Sequence, residues 1–138
     1  MAVAVFDADV LIAFLAGEDA HHSEAVERVR EALEPGTRRL VSAVNYTEVL
    51  IGPLRAGRPT EAEKVDAMLA ALAIETIVVD MPLAKRAAAV RARTNLKLPD
   101  AYAVATAIHA EHRGWDDVRL ESFDEAVVKA YSDLYPRA

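Results

Sequence analysis

The sequence predicts an α/β fold, with a central, mainly parallel sheet covered by helices on both faces. Two observations carry this. Short β-branched runs alternate, from one end of the chain to the other, with longer stretches whose apolar residues recur at helical spacing. Strands separated in this way by helices pair in parallel and are buried on both sides. The second observation is size and composition. With 138 residues, 53% apolar and 28% charged, the chain is expected to form a single domain over residues 1–138 with a proper core.

The elements follow in order. Ala2–Phe6 is a short strand ending at Asp7, and a helix follows with Asp9 expected as its cap and Gly17 as its end. Residues 19–33 read as a helix, because Ala25, Val26, Val29 and Leu33 share one face and Pro35-Gly36 stops it. Residues 39–44 read as a strand, and Asn45 starts a helix toward Gly57. Thr60 opens the next helix, with Glu63 in capping-box position. A strand over residues 74–79 leads to Asp80 as a cap and Pro82 in a first turn, and that helix runs to about Thr94. Pro99 opens a helix to His112, with Gly114 beyond it. A strand over residues 118–123 and a helix from Asp124 to Tyr131 complete the pattern.

Composition removes several classes of function. Without cysteine there is no disulfide framework, zinc–thiolate site or thiol nucleophile, as suits a cytoplasmic protein. No apolar run approaches the ~20 residues of a membrane span, so no membrane partner is expected. A net charge of −6 disfavours general adhesion to nucleic acid, yet it is compatible with a nucleic-acid enzyme whose acids are gathered at a metal.

The acids are therefore the informative residues. The opening stretch VFDADVLIAFL sets Asp7 and Asp9 among nine apolar residues, where an unpaired buried carboxylate is costly. Asp7 and Asp124 each stand at the carboxyl end of a strand, the edge where open α/β sheets collect ligands. Asp100 lies in the first turn of LPDAYAVATAIHA, on a face of small apolar residues. For Asp9, Asp80, Asp100 and Asp124, ordinary helix capping or first-turn stabilisation is the bland alternative. Glu48 resists that explanation. It is mid-helix in NYTEVLIGPL, a helix apolar nearly all round and hence expected to be buried, with no basic residue three or four away.

These pieces resemble the PIN-domain ribonucleases, and among them the VapC-type toxins of toxin–antitoxin pairs. The matching segments are FDADVLIAFLAG, SAVNYTEVLIG, LKLPDAYAVATAIHAEHRG and LESFDEAV, in family order across nearly the whole chain. The resemblance implies a PIN-like three-layer α/β/α sandwich. It also implies an acidic site at Asp7, Glu48, Asp100 and Asp124 that binds Mg²⁺ or Mn²⁺ and hydrolyses structured RNA such as tRNA or rRNA. Asp9 adds a fifth carboxylate where the family has Ser, Thr or Asn, Ser122 takes the place of a Thr, and Asp117 competes with Asp124 for the fourth role. Further implications are a homodimer and a VapB-like antitoxin whose basic side chain enters the acidic pocket. Hard oxygen ligands suit such ions.

The segment KRAAAVRARTNLK carries Lys85, Arg86, Arg91, Arg93 and Lys97 without an acid and leads straight to Asp100. It reads as an RNA track, with a solvated helix face or a partner surface as the alternatives. His109 and His112 are expected to be exposed residues at a helix end. Two other readings compete. FDADVLI fits a haloacid-dehalogenase-like phosphatase with Asp7 as nucleophile, which leaves Glu48 unexplained. A non-catalytic PIN-like module that binds RNA or protein is the other.

Overall fold

The computed structural model describes residues 2–134. Among these residues the order is β1 (Ala2–Phe6), α1 (Ala8–Leu15), α2 (His22–Ala32), β2 (Thr37–Ser42), α3 (Ala43–Arg55), α4 (Pro59–Ala71), β3 (Ile74–Ile77), α5 (Met81–Arg93), α6 (Leu98–His112), β4 (Asp117–Glu121) and α7 (Glu125–Leu134). The four strands are all parallel and lie in the order β3-β2-β1-β4. From β1 the chain steps outward through β2 and β3, then crosses back to place β4 on the other side of β1. The topological switch point thus lies between β1 and β4. There the connections leave in opposite directions and open a crevice at the strands' carboxyl ends.

Alternation along β1 builds the three layers. Val3 and Val5 face one core with α5, α6 and α7, through residues such as Leu83, Val90, Val104 and Val127. Ala4 and Phe6 face a second core with α1 to α4, through Leu11, Val29, Val49 and Val65. Helix α6 is the most buried of the seven, and its run of alanines (Ala101, Ala103, Ala105, Ala107, Ala110) lets it approach the sheet closely. Gly114, at φ +95°, takes the left-handed conformation just beyond that helix.

Several expectations change. Asp7, not Asp9, caps α1, accepting the Ala8 N–H at 2.8 Å. Strand β2 stops at Ser42, because the Ser42 hydroxyl captures the Asn45 N–H at 3.0 Å and turns residues 43 and 44 into helix. The Thr60–Glu63 capping box does not form. Pro59 sets the start of α4, after Arg58 as an N-cap without a side-chain bond. Helix α3 is not buried all round, since Ile51 and Leu54 are exposed. Asp80 caps α5 as expected, accepting the Leu83 N–H at 3.0 Å.

Candidate active site

Four segments far apart in sequence deliver acids to the β1–β4 crevice. Asp7 follows β1 directly, and its N–H donates to the Glu121 carbonyl at 2.9 Å, extending the ladder by one residue. Burial is its dominant feature, with only 3% of the residue exposed. That burial pushes the Asp7 carboxyl up to about 7, with Asp9 and Asp100 adding like-charge repulsion and bonds from Ser122 and Ala8 opposing it.

Asp9 lies in the first turn of α1 and is drawn across to the β4–α7 connection, where its Oδ2 accepts the Phe123 N–H at 3.0 Å. Its other oxygen, Oδ1, is buried with no hydrogen-bond partner among the described residues. Burial raises its carboxyl, with Asp124 adding to the rise and the Phe123 bond opposing it.

Ser122 joins these groups. Its hydroxyl donates to Asp7 Oδ2 at 2.9 Å and accepts the Asp124 N–H at 3.0 Å. The connection that carries Ser122 and Asp124 is held from outside by Arg28. Its guanidinium donates to the Ser122 carbonyl at 3.1 Å, pairs with Glu121 at 3.4 Å and lies 5.0 Å from the Phe123 ring centre. His21 also stacks on the Phe123 ring, 4.8 Å between centroids.

Asp100 stands half-buried in the first turn of α6 and has no hydrogen bond to the described residues. Burial raises its carboxyl, reinforced by Asp124, Glu48 and Asp9, while Lys97 pulls it down. Glu48 is positioned by Asn45, a fully buried side chain. Asn45 Nδ2 donates to Glu48 Oε1 at 3.0 Å and to the Pro99 carbonyl at 3.1 Å, while its Oδ1 accepts from the Ser42 hydroxyl at 2.7 Å. One amide thereby fixes the start of α3 to the start of α6, the two turns that carry Glu48 and Asp100. Asp124 accepts the Ala126 N–H at 2.9 Å, so it caps α7 while adding its charge to the site. Asp117 is excluded: it begins β4, paired level with Ala2 at the opposite end of the sheet.

The mutual repulsion of Asp7, Asp9, Glu48, Asp100 and Asp124 defines one acidic cluster. Its donor set is wholly oxygen and anionic, and Asp9 Oδ1 is an orphaned buried acceptor, so the residues fit a hard divalent cation. Among the described residues no three His, Asp or Glu side chains are gathered tightly enough to enclose an ion as they stand. Cation binding therefore requires side-chain rotation, for which the unbonded Asp100 is the freest member.

Asn45 and Arg28 were missed by sequence reasoning. A signal for Asn45 existed in the Ser42-to-Asn45 spacing of a helix cap. None existed for Arg28, whose partners lie across the fold. His109 is half-buried, not exposed, and burial followed by the Arg86 and Arg113 charges lowers its imidazole below the ordinary value.

The comparisons agree with this geometry. The PIN domain family matches residues 4–131. The chain belongs to the PIN domain family. That membership sets aside the dehalogenase-like phosphatase reading. The fold resembles a Mycobacterium tuberculosis VapC toxin described as cleaving the sarcin–ricin loop, with TM-score 0.67 and 17% identity over 94% of this chain and 93% of that one. A toxin–antitoxin complex from Klebsiella pneumoniae gives TM-score 0.57 and 27% identity, covering 92% and 93%. The Rickettsia felis VapBC pair bound to a DNA fragment from their promoter gives TM-score 0.57 and 12% identity, covering 88% and 99%. No curated protein matches the sequence. No helix among the described residues of this PIN domain is long and apolar enough to cross a membrane.

Proposed function

We propose that this PIN domain is a VapC-like toxin, a divalent-metal-dependent endoribonuclease that hydrolyses phosphodiester bonds of structured RNA such as tRNA or rRNA. The observation that carries the reading is the acidic cluster at the β1–β4 switch point, with Asp7 buried and its carboxyl pushed up to about 7. A protein gains nothing in stability from such repulsion, and the cluster makes sense as a receptor for positive charge.

Asp7, Asp100, Glu48 and Asp124 are the residues that would hold Mg²⁺ or Mn²⁺, with Asp9 as a contributor through its orphaned oxygen. Such an ion supplies Lewis-acid stabilisation of charge on the phosphodiester oxygens and activates water. The chain's own residues do the positioning. Ser122 orients Asp7 and fixes the Asp124 backbone, and Asn45 orients Glu48. Burial around Asp7 keeps bulk water from one side of the site.

The cluster also suits a basic side chain, the feature by which an antitoxin would block it. The Klebsiella pneumoniae relative is described as a toxin–antitoxin complex, which supports a VapB-like partner here. The exposed Ile51 and Leu54 of α3 are candidates for protein contacts of this kind, including a homodimer.

Purified protein incubated with end-labelled total tRNA and rRNA in Mg²⁺, Mn²⁺ or EDTA tests the reading, beside the Asp100→Asn variant. Discrete products that need the metal and fall at least a hundredfold in the folded variant are expected. Cleavage that persists in EDTA, or in Asp100→Asn, counts against it. RNA binding without cleavage under any metal would favour a non-catalytic module.

A further inference from the structure

The basic helix α5 has a flank that nothing in the acidic cluster explains. Arg86 and Arg93 are seven residues apart, two turns along one side of α5, and both line a groove formed with Val90, Ile108, His112 and Leu134. Among the described residues no carboxylate lines this part of the groove, although the protein carries a net charge of −6. Neither arginine forms an ion pair with a described residue, and Arg86 Nε is buried with no acceptor. Arg93 is exposed and Arg86 half-buried, so an anion entering the groove can reach the outer nitrogens of their guanidiniums.

The groove continues toward the acids. Arg93 and Leu134 also line a second stretch, formed by Thr94, Asn95 and Leu96 against Ala126 and Ala130 of α7. Among the described residues its one carboxylate, Asp133, is taken up by Lys129 at 2.6 Å. Its near end abuts the candidate site on both sides: the Ala126 N–H is bonded to Asp124, and residues 94–96 lead into the turn bearing Asp100. From Asp100 to His112 helix α6 rises roughly 18 Å, the length of a track for several backbone phosphates.

We propose that the groove between α5, α6 and α7 is the path of a single-stranded RNA segment flanking the cleaved bond, with Arg86 and Arg93 contacting its phosphates. The proposal rests on the nuclease reading for the identity of the polyanion. Lysine and arginine contacts of this kind position a strand without reading its bases, so the groove adds affinity and not sequence preference.

The test measures binding of a short labelled oligouridylate in EDTA, in the Asp100→Asn background, across a series of salt concentrations. Single-strand contacts contribute about −0.7 each to the slope of log K against log salt, so Arg86→Gln with Arg93→Gln is expected to flatten the slope by about 1.4 and weaken binding about tenfold. Arg86→Lys with Arg93→Lys retains the slope. Arg55→Gln with Arg58→Gln, an equal loss of charge elsewhere on the surface, leaves it unchanged. An unaltered slope in the Arg86/Arg93 glutamine variant overturns the proposal, as does an equal change in the Arg55/Arg58 control. Metal-dependent cleavage by the parent protein is scored separately. Its absence beside the expected slopes rejects the nuclease reading and leaves the groove standing.

Discussion

Replacing Asp7 with Asn should stabilise the protein at neutral and alkaline pH, even though it removes a proposed metal ligand. The carboxyl moves from an ordinary 3.8 to about 7, at a site with 3% exposure. The folded state therefore binds this proton more tightly than the unfolded state. The associated stability is fully present below about pH 4, fades as pH rises, and is gone above about pH 7. At roughly 1.4 kcal/mol per pKa unit, ionising the buried group costs the fold about 4 kcal/mol at pH 8. Asn has the same shape, remains a good cap for the Ala8 N–H and can still accept from Ser122, but never ionises. Urea unfolding in EDTA, followed by circular dichroism, should place the Asp7→Asn midpoint about 2 M above the parent at pH 8, for an m-value near 2 kcal/mol/M. At pH 4 the two should nearly coincide. Mn²⁺ should then raise the parent midpoint and close the gap, because it binds only the folded carboxylate site. A variant no more stable than the parent at pH 8 would refute the electrostatic argument, since it would mean that Asp7 is already neutralised within the fold.

Other substitutions probe the supports of the site. Ser122→Ala removes a bond that lowers the Asp7 carboxyl and strands the Asp124 N–H; the Asp7 titration followed by carbon-13 NMR should move further up, with a loss of about 1–3 kcal/mol in thermal unfolding. Asn45→Ala leaves the Ser42 hydroxyl and the Pro99 carbonyl without their buried partner and frees Glu48; a similar loss of about 1–3 kcal/mol is expected, with cleavage falling more than the residual folded fraction explains. Ala73 closes α4 at φ +51°, a conformation that suits glycine, so Ala73→Gly should raise stability by about 1 kcal/mol in the same unfolding assay.

What was legible in the sequence was set by short-range chemistry. Asp80 and Leu83 are three residues apart, so their cap follows from spacing, and Pro99 marks the start of α6 within one residue. The strand-end position of Asp7 follows from the same kind of reading, whereas β4 ends at Glu121, three residues before Asp124, which instead caps α7. Where two short-range signals compete, spacing alone fails. Either carboxylate of Asp-Ala-Asp can cap a helix, and the choice of Asp7 is made by the ladder bond that carries β1 on to that residue, while Asp9 is claimed by Phe123. The apolar Ala43-Val44 continues a strand pattern, and only the Ser42 cap interrupts it. Helix α3 shows the limit of hydrophobic patterning, because an outward apolar face at Ile51 and Leu54 reads like a buried one. The hardest part was the support of the site. Asn45 reaches Pro99 and Arg28 reaches Ser122 across 54 and 94 residues of sequence, contacts that no local pattern encodes.

Calorimetric titration of the metal-free protein with Mn²⁺ at pH 7, repeated in buffers of different ionisation enthalpy, tests most directly that these acids are one metal-binding site. With its carboxyl at about 7, Asp7 is about half protonated under these conditions, so binding should release about half a proton per protein. Asp7→Asn should bind at least tenfold more weakly and release almost none. Binding by the parent without proton release, or undiminished binding by Asp7→Asn, would contradict the assignment of Asp7 as the buried ligand of a catalytic cation.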